Sequence, residues 1–512
     1  MWLAILSGAG TALAFPKFQF AFLAWVSLIP LLFTLSGKRT RSGFWPGTVA
    51  GLFFYGLLLY WIPAVPRHYA GMPSWLCLLI YLALIGFLAL YWGLFGALFV
   101  RVRRAFPVGA FLLAPFIWIA CEYLTTHLLS GFPWGLLGTS QYKNLPFIQA
   151  ASLTGICGIS FVLVFLQSSF VLALTRRKKS PFFAALSLLA LAHAWGWYEM
   201  KKASFDGPQK IRASVIQGNV SSDVYWGVTP PAEIGKLLDD HLALTRQAAA
   251  GGAGLVIWPE FTVPLCFSCP EEAYRGLSAE LENYVRSSGV TLLLGTNETT
   301  GSAENPRYHN AAMALHPDLS RSLYFKMHLV PFGEYTPYKR IFFFIEKLTH
   351  AIGEITPGTD PVLHDYEGHK FASPICYEII FPGLVRKFVR RGASFLVTIT
   401  NDGWYGTSSA PYQHWAQAVV RAVENRRTLL RAATTGISGV VDPYGRELGR
   451  SRLMTQAVLT QTFPPLSRLS LYTRIGDVLP LAGLTLSLLS SILALLRERK
   501  DRHRHGYDRD LF

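Results

Sequence analysis

The chain has 512 residues, 51% of them hydrophobic and only 15% charged, with a formal net charge of +16. That balance excludes a wholly soluble protein and leaves room for two domains. It also argues against nucleic acid as a partner: residues 204–463 hold about 24 Lys plus Arg against about 24 Asp plus Glu, so the excess lies in the apolar flanks, the reverse of a duplex-binding domain.

Apolar runs of bilayer-crossing or near-crossing length lie at about residues 2–16, 19–36, 43–63, 75–100, 107–127, 154–175, 181–198 and 478–496. They predict about eight transmembrane helices, seven in a membrane domain over residues 1–203 and one in residues 464–512. The first run lacks the basic leader of a signal peptide and is expected to be retained. Lys38, Arg39 and Arg41 follow the second run, Arg101, Arg103 and Arg104 the fourth, and Arg176, Arg177, Lys178 and Lys179 the sixth, while the tail RERKDRHRHGYDRD is basic too. The alternate short loops carry little beyond Lys17, Arg67 and Lys143. By the positive-inside rule both termini are cytoplasmic and the stretch between the seventh and eighth helices faces outward, in a bacterium into the periplasm. Glu122, near the outer end of the fifth run, reads as a carboxylate snorkelling to the interface. The aromatic, weakly charged loop 130–150 reads as lying at that same interface.

From Ile211 the texture changes to α/β. ASVIQGN, GLVIWPE and VTLLLGT read as strands, EIGKLLDDHLALTRQAAA and EEAYRGLSAELENYVRSSG as amphipathic helices. AAMALHP and SLYFKMH flank a hairpin, FLVTITND is a buried strand, and WAQAVVRAVENRRTLLRAA a helix with structural arginines. Residues 339–353, KRIFFFIEKLTHAIG, suit either an ordinary core helix or an aromatic cluster dipping into the membrane surface. Cys266 and Cys269 lack the second pair a zinc site needs, leaving a local disulfide or two free thiols.

Three segments of this stretch bear chemistry. The run Leu255 to Trp258 ends at Pro259 and delivers Glu260, a carboxylate at a strand tip whose partial desolvation suits a general base. Lys326 and Glu334 lie in SLYFKMHLVPFGEYTP, and an ammonium near a thiol favours thiolate and can hold an oxyanion. Cys376, followed by Tyr377 and Glu378 in SPICYEIIFPG, sits between a strand end and a helix, where a turn can present a nucleophile. A lone cysteine is more often a buried, inert thiol; the other two segments reverse that.

With WPE, YFKMHLVPFGEY, CYE and TNDGWYG in this order, residues 210–460 resemble the nitrilase or carbon–nitrogen hydrolase superfamily. Together with the apolar remainder, the whole chain resembles the apolipoprotein N-acyltransferase family. That resemblance implies a four-layer αββα sandwich over residues 204–463 in the periplasm, anchored in the bacterial inner membrane. It implies Glu260 as base, Lys326 as oxyanion partner and Cys376 as nucleophile, with Glu334, Tyr377, Glu378 and Trp226 in supporting roles and neither metal nor cofactor. It implies a phospholipid acyl donor such as phosphatidylethanolamine, a diacylglyceryl-cysteine lipoprotein acceptor, a thioester intermediate and a monomeric enzyme. Arg431 to Ser438 reads RAATTGIS, with Thr434 where the family has asparagine, which puts in doubt any contact of that side chain. The same three residues also serve a membrane-anchored amidase or nitrilase, in which water is the acceptor. A transporter with an outer sensor domain is the non-enzyme alternative, and it calls for more intramembrane polar residues than Glu122 alone.

Overall fold

The computed structural model describes the chain apart from residues 38, 39, 41, 70, 203–208, 221–230, 262–265, 268–271, 303, 338–354 and 508–512. Lys38, Arg39, Arg41, Trp226, Cys269 and the aromatic cluster at 339–353 therefore lie outside the described residues. The chain divides into two compact units, one of Met1–Tyr60, Leu78–Lys201 and Ile475–Phe512, the other of Trp61–Cys77 and Lys202–Arg474.

The first unit is helical. Among the described residues four helices are long and apolar enough to cross a membrane, Ser74–Ala105, Gly109–Ser130, Ile156–Arg176 and Val478–Lys500. Trp2–Leu13, Ala21–Ser36 and Phe44–Leu58 are shorter apolar segments, and the seventh expected run falls on the helix Ser180–Lys202. Small residues let these helices meet backbone to backbone: a β-carbon at Gly8 would collide with the Ala50 carbonyl, and one at Gly47 with that of Trp92.

Glu122 does not snorkel. It is buried, and its Oε1 accepts from Leu137 N (2.7 Å), Trp118 Nε1 (3.0 Å) and Ser160 Oγ (3.1 Å). The 130–150 loop folds inward to reach it, burying Trp134, Leu136, Leu137, Tyr142 and Phe147. Those donors answer the cost of an intramembrane carboxylate inside the protein rather than at its surface.

The second unit holds two six-stranded sheets. Its described strands are β1 (Ile211–Gln217), β2 (Leu255–Ile257), β3 (Thr291–Ser302), β4 (Asn305–Leu315), β5 (Arg321–Phe325), β6 (His364–Tyr366), β7 (His369–Ala372), β8 (Phe395–Thr400), β9 (Leu429–Ala433), β10 (Gly439–Val441), β11 (Glu447–Arg450) and β12 (Ala457–Phe463). One sheet runs β12-β1-β2-β3-β4-β5 and the other β11-β10-β9-β8-β7-β6. The centres, β1-β2-β3 and β7-β8-β9, are parallel, and the flanking pairs are antiparallel.

Crossover helices follow from the parallel pairing. Pro231–Ala250 and Glu272–Ser288 lay Ile234, Leu238, Leu242, Leu281 and Val285 on Val256, Leu292, Leu294 and Met313 of the first sheet. Each such side chain contributes roughly 1.5–3 kcal/mol by leaving water. Pro382–Arg390 and Ala410–Asn425 belong to the second sheet, where Trp415 sits over Gly439 of β10. The two sheets meet face to face: Phe395 of β8 packs on Phe463 of β12, and Gln217 at the end of β1 accepts from Ser438 and Ser451, both at 2.7 Å.

The expected hairpin is β4 and β5, paired from Ala311↔Phe325 to Leu315↔Arg321. One element differs from the sequence reading. The helix read through Ala433 stops at Asn425, where Arg426 adopts a left-handed backbone (φ 51°), and Leu429–Ala433 becomes β9. All five β9 residues are buried and pair in parallel with β8, so burial on both faces overrides helical propensity. The arginine expectation holds there: Arg427 donates to the carbonyls of Ala393 (2.7 Å) and Arg468 (2.8 Å).

Candidate active site

The residues singled out from sequence lie just beyond strand ends. Glu260 follows β2, Lys326 follows β5 and Cys376 follows β7; Asn401 and Asp402, which the sequence reading had not singled out, follow β8. Carboxyl ends of parallel strands are where α/β sheets open a crevice. Cys376 begins a short 3-10 turn, Cys376–Ile380, that leads into the helix Pro382–Arg390. Its own φ is +50°, a left-handed backbone that L-residues avoid at a cost of order 1–3 kcal/mol. Such strain presents the side chain at the apex of a strand-to-helix turn.

Glu260, Lys326 and Glu334 come together. Lys326 Nζ, only 1% exposed, donates to Glu334 Oε1 (2.8 Å) and Glu260 Oε1 (3.2 Å). Asn310 of β4 donates through Nδ2 to the same two oxygens, at 2.9 and 2.8 Å. The remaining carboxylate oxygens are held by backbone, Glu260 Oε2 by Asn401 N (2.9 Å) and Glu334 Oε2 by Val330 N (2.7 Å). Two carboxylates, Glu260 buried and Glu334 partly buried, therefore face one ammonium, and each is fixed at both oxygens.

Glu378 points elsewhere. Its Oε1 accepts from Tyr324 Oη (2.7 Å), Met327 N (2.8 Å) and His328 N (3.0 Å), and its Oε2 from Ile375 N (2.7 Å). It ties the Cys376 turn to the strand end that carries Lys326. Burial raises its carboxyl above the ordinary range. Tyr377 is buried against Phe381, with ring centroids 5.1 Å apart, and against His328. The structure thus gathers Glu260, Lys326 and Glu334 through direct contacts and Tyr377 and Glu378 around the turn.

Electrostatics decide the resting state. Burial pushes the Cys376 thiol well above its ordinary value, the Glu260 carboxylate adds to this, and Lys326 opposes it without prevailing. Burial alone would lower Lys326, but Glu260 and Glu334 outweigh it and hold the ammonium well above its usual range. Both directions are those of a neutral thiol and a protonated lysine. A consequence is measurable. Between pH 6 and 8.5 alkylation of Cys376 by iodoacetamide should rise roughly tenfold per pH unit, following the small thiolate fraction. A rate flat above pH 7 would mean a preformed thiolate.

Sequence reading gave no role to Asn310, which, like Lys326, touches both carboxylates. Its signal was an amide immediately before the apolar run AAMAL of β4, itself preceded by His309. Trp61–Cys77, read from sequence within residues 1–203, groups with this second unit. There Tyr69 Oη donates to the Gly403 carbonyl (3.0 Å), and the Trp61 ring meets Tyr405 edge-on at 4.8 Å.

Comparison with known proteins decides the family. The model of the apolipoprotein N-acyltransferase N-terminal domain matches residues 7–169, and that of carbon-nitrogen hydrolase matches residues 212–466. An apolipoprotein N-acyltransferase from Geobacter metallireducens is 35% identical over 97% of this chain and 95% of its own length. Those of Photobacterium profundum and Chlorobaculum tepidum are each 30% identical, over 98% and 97% of this chain and 96% and 97% of their own lengths. The chain belongs to the apolipoprotein N-acyltransferase family. The nitrilase-like unit is the part this family shares with carbon–nitrogen hydrolases, and the match over residues 7–169 is what separates it from them. Cys266, in the second unit, is disulfide-bonded.

Proposed function

We propose that the chain carries out the reaction for which its family is named, N-acylation of a lipoprotein, with a membrane phospholipid as donor and Cys376 as the covalent carrier. The observation that carries this reading is the Glu260–Lys326–Glu334 cluster beside the left-handed Cys376 turn, in a chain whose N-terminal part matches the apolipoprotein N-acyltransferase N-terminal domain. Glu260 takes the Cys376 proton, and sulfur attacks the ester carbonyl. Lys326, with backbone amides of the turn, holds the charge that develops on the carbonyl oxygen. Collapse expels the lysophospholipid alkoxide, which takes the proton back from Glu260, and leaves a thioester. The α-amine of a diacylglyceryl-cysteine then attacks; Glu260 accepts its proton and returns it to the departing thiolate, and an amide results. Glu334 and Asn310 hold Lys326 and Glu260 in register, Glu378 and Tyr377 hold the turn, and Trp226 keeps its expected supporting role.

Both substrates are anchored in lipid, so fusing a membrane part to the catalytic part in one polypeptide suits the reaction. The layout we propose is a membrane domain over residues 1–203, a catalytic domain over 204–463 in the bacterial periplasm, and a final span with a cytoplasmic tail over 464–512. In it the three shorter apolar segments and the helix Ser180–Lys202 join the four long helices to make eight spans, both termini are cytoplasmic, and the enzyme acts as a monomer. The alternating basic loops support the orientation.

The test is a partition of label. The purified protein, given phospholipid carrying a labelled acyl chain and a synthetic diacylated lipopeptide, should deliver label to the peptide amine. Label recovered only as free fatty acid would replace this reading with hydrolysis by the same residues.

A further inference from the structure

Behind the nucleophile turn lies a charged group that none of the steps above uses. Asp402, His414 and Arg431 are each 1% exposed or less. Asp402 Oδ2 accepts from Arg431 Nη2 at 2.7 Å, and its Oδ1 lies 3.2 Å from Thr400 Oγ1 and 2.9 Å from His414 Nδ1. Arg431 Nη2 also lies 3.1 Å from His414 Nδ1. The other ring nitrogen, Nε2, lies 3.1 Å from the carbonyl oxygen of Cys376. A carbonyl only accepts, so this bond needs the proton on Nε2; Nδ1 then accepts from Arg431 Nη2 in the neutral ring, or donates to Asp402 Oδ1 when the ring is protonated.

We infer that His414, clamped by Asp402 and Arg431, is a positioning residue for acyl transfer: its Nε2–H pins the Cys376 carbonyl and so sets the peptide plane between Cys376 and Tyr377. Two consequences follow from one bond. Fixing the carbonyl holds Cys376 in its left-handed conformation, which aims the thiol. In a planar trans peptide the Tyr377 N–H points opposite to that carbonyl, so the same bond turns this amide away from His414. A buried ring anchored by an ion pair suits the task because it cannot swing to follow the carbonyl. Charge in this position would otherwise be costly, since buried ion pairs add little net stability. Arg431 also donates from Nε to the Ile437 carbonyl (3.0 Å), which locks the far end of the clamp.

The inference rests on the reading of Cys376 as nucleophile, and a pair of variants separates the two. In His414→Gln the amide nitrogen can replace Nε2 toward the Cys376 carbonyl; in His414→Asn it replaces Nδ1 toward Asp402 and leaves the carbonyl unheld. The full-length protein in detergent is incubated with labelled phospholipid, and acyl-enzyme formation is followed by mass. We expect His414→Asn to form it about 100-fold more slowly, the scale of an ångström-sized misplacement, and His414→Gln within about tenfold of wild type. The phospholipid concentration giving half the maximal rate should be unchanged in both. Alkylation of Cys376 at pH 9, which needs thiolate but no oriented carbonyl acceptor, should differ from wild type by less than about threefold in both. Equal losses in the two variants, or none in either, would overturn the positioning role. If His414→Asn does not fold, His414→Gln carries the test: a loss near 100-fold with normal alkylation overturns it, and near-wild-type acylation upholds it. Absence of acyl-enzyme from wild type would instead strike the nucleophile assignment.

Discussion

Cys376→Ala is expected to lose the acyl-enzyme altogether, with no mass increment of a fatty acyl chain after incubation with phospholipid, and to lower transfer to lipopeptide by about 10⁶-fold, as for removal of a nucleophile elsewhere. Cys376→Ser should fail almost as completely, because the base that must take the thiol proton meets a hydroxyl many units more reluctant to ionise. Neither change should unfold the protein. Alanine and serine meet the same left-handed backbone that cysteine already occupies at φ +50°, so the strain is not new. Losing one buried sulfur leaves a cavity worth about 1 kcal/mol, small against the stability of a two-sheet unit. Thermal unfolding within a few degrees of wild type, with acylation absent, is the expected pair of results. An acyl increment that persists in Cys376→Ala would move the nucleophile to another residue.

How much of this was legible in the sequence depended on how local each signal is. Glu260, Lys326 and Cys376 announce themselves because each ends a strand and carries its motif within a few residues, as in WPE and CYE. The α/β texture was readable for the same reason, since a strand such as FLVTIT or an amphipathic helix such as 231–250 shows its period along the chain. What escaped were relations between distant positions. Asn310 meets Glu260 across 50 residues and Asp402 meets Arg431 across 29, and nothing near either residue marks the partner. β9 was misread because RTLLRAA has the composition of a helix end, and only pairing with β8 makes it a strand. Glu122 was misread because an apolar helix seen alone gives its carboxylate nowhere to go but the interface. The donors that hold it come from Leu137 and from Ser160, on a loop and another helix.

Lys326→Arg tests the cation itself, since it keeps charge and changes shape. Nζ bonds to Glu334 and Glu260 at 2.8 and 3.2 Å with 1% of the side chain exposed, so a guanidinium has no room to take the same point. A planar fork pairs two nitrogens with one carboxylate and carries its charge broadly, whereas an oxyanion at a carbonyl needs a compact donor aimed at one place. Removing one oxyanion donor elsewhere costs about 10² to 10³ in rate, and Lys326→Arg should lose acyl-enzyme formation on that scale. Lys326→Met is a poorer test. It leaves the buried Glu260 and the partly buried Glu334 without their cation, a loss of roughly 3–5 kcal/mol that would confuse stability with chemistry. Assay pH is not a hidden variable either. Glu260 and Glu334 hold the ammonium above its usual range, so it is protonated in the folded state below the unfolded-state value of about 10.4, and its stabilising effect fades only as pH rises beyond that. From pH 6 to 9 the variant and wild type therefore differ in geometry and not in charge. Wild-type acylation in Lys326→Arg would remove this lysine from the oxyanion role and leave that work to the backbone amides of the Cys376–Ile380 turn.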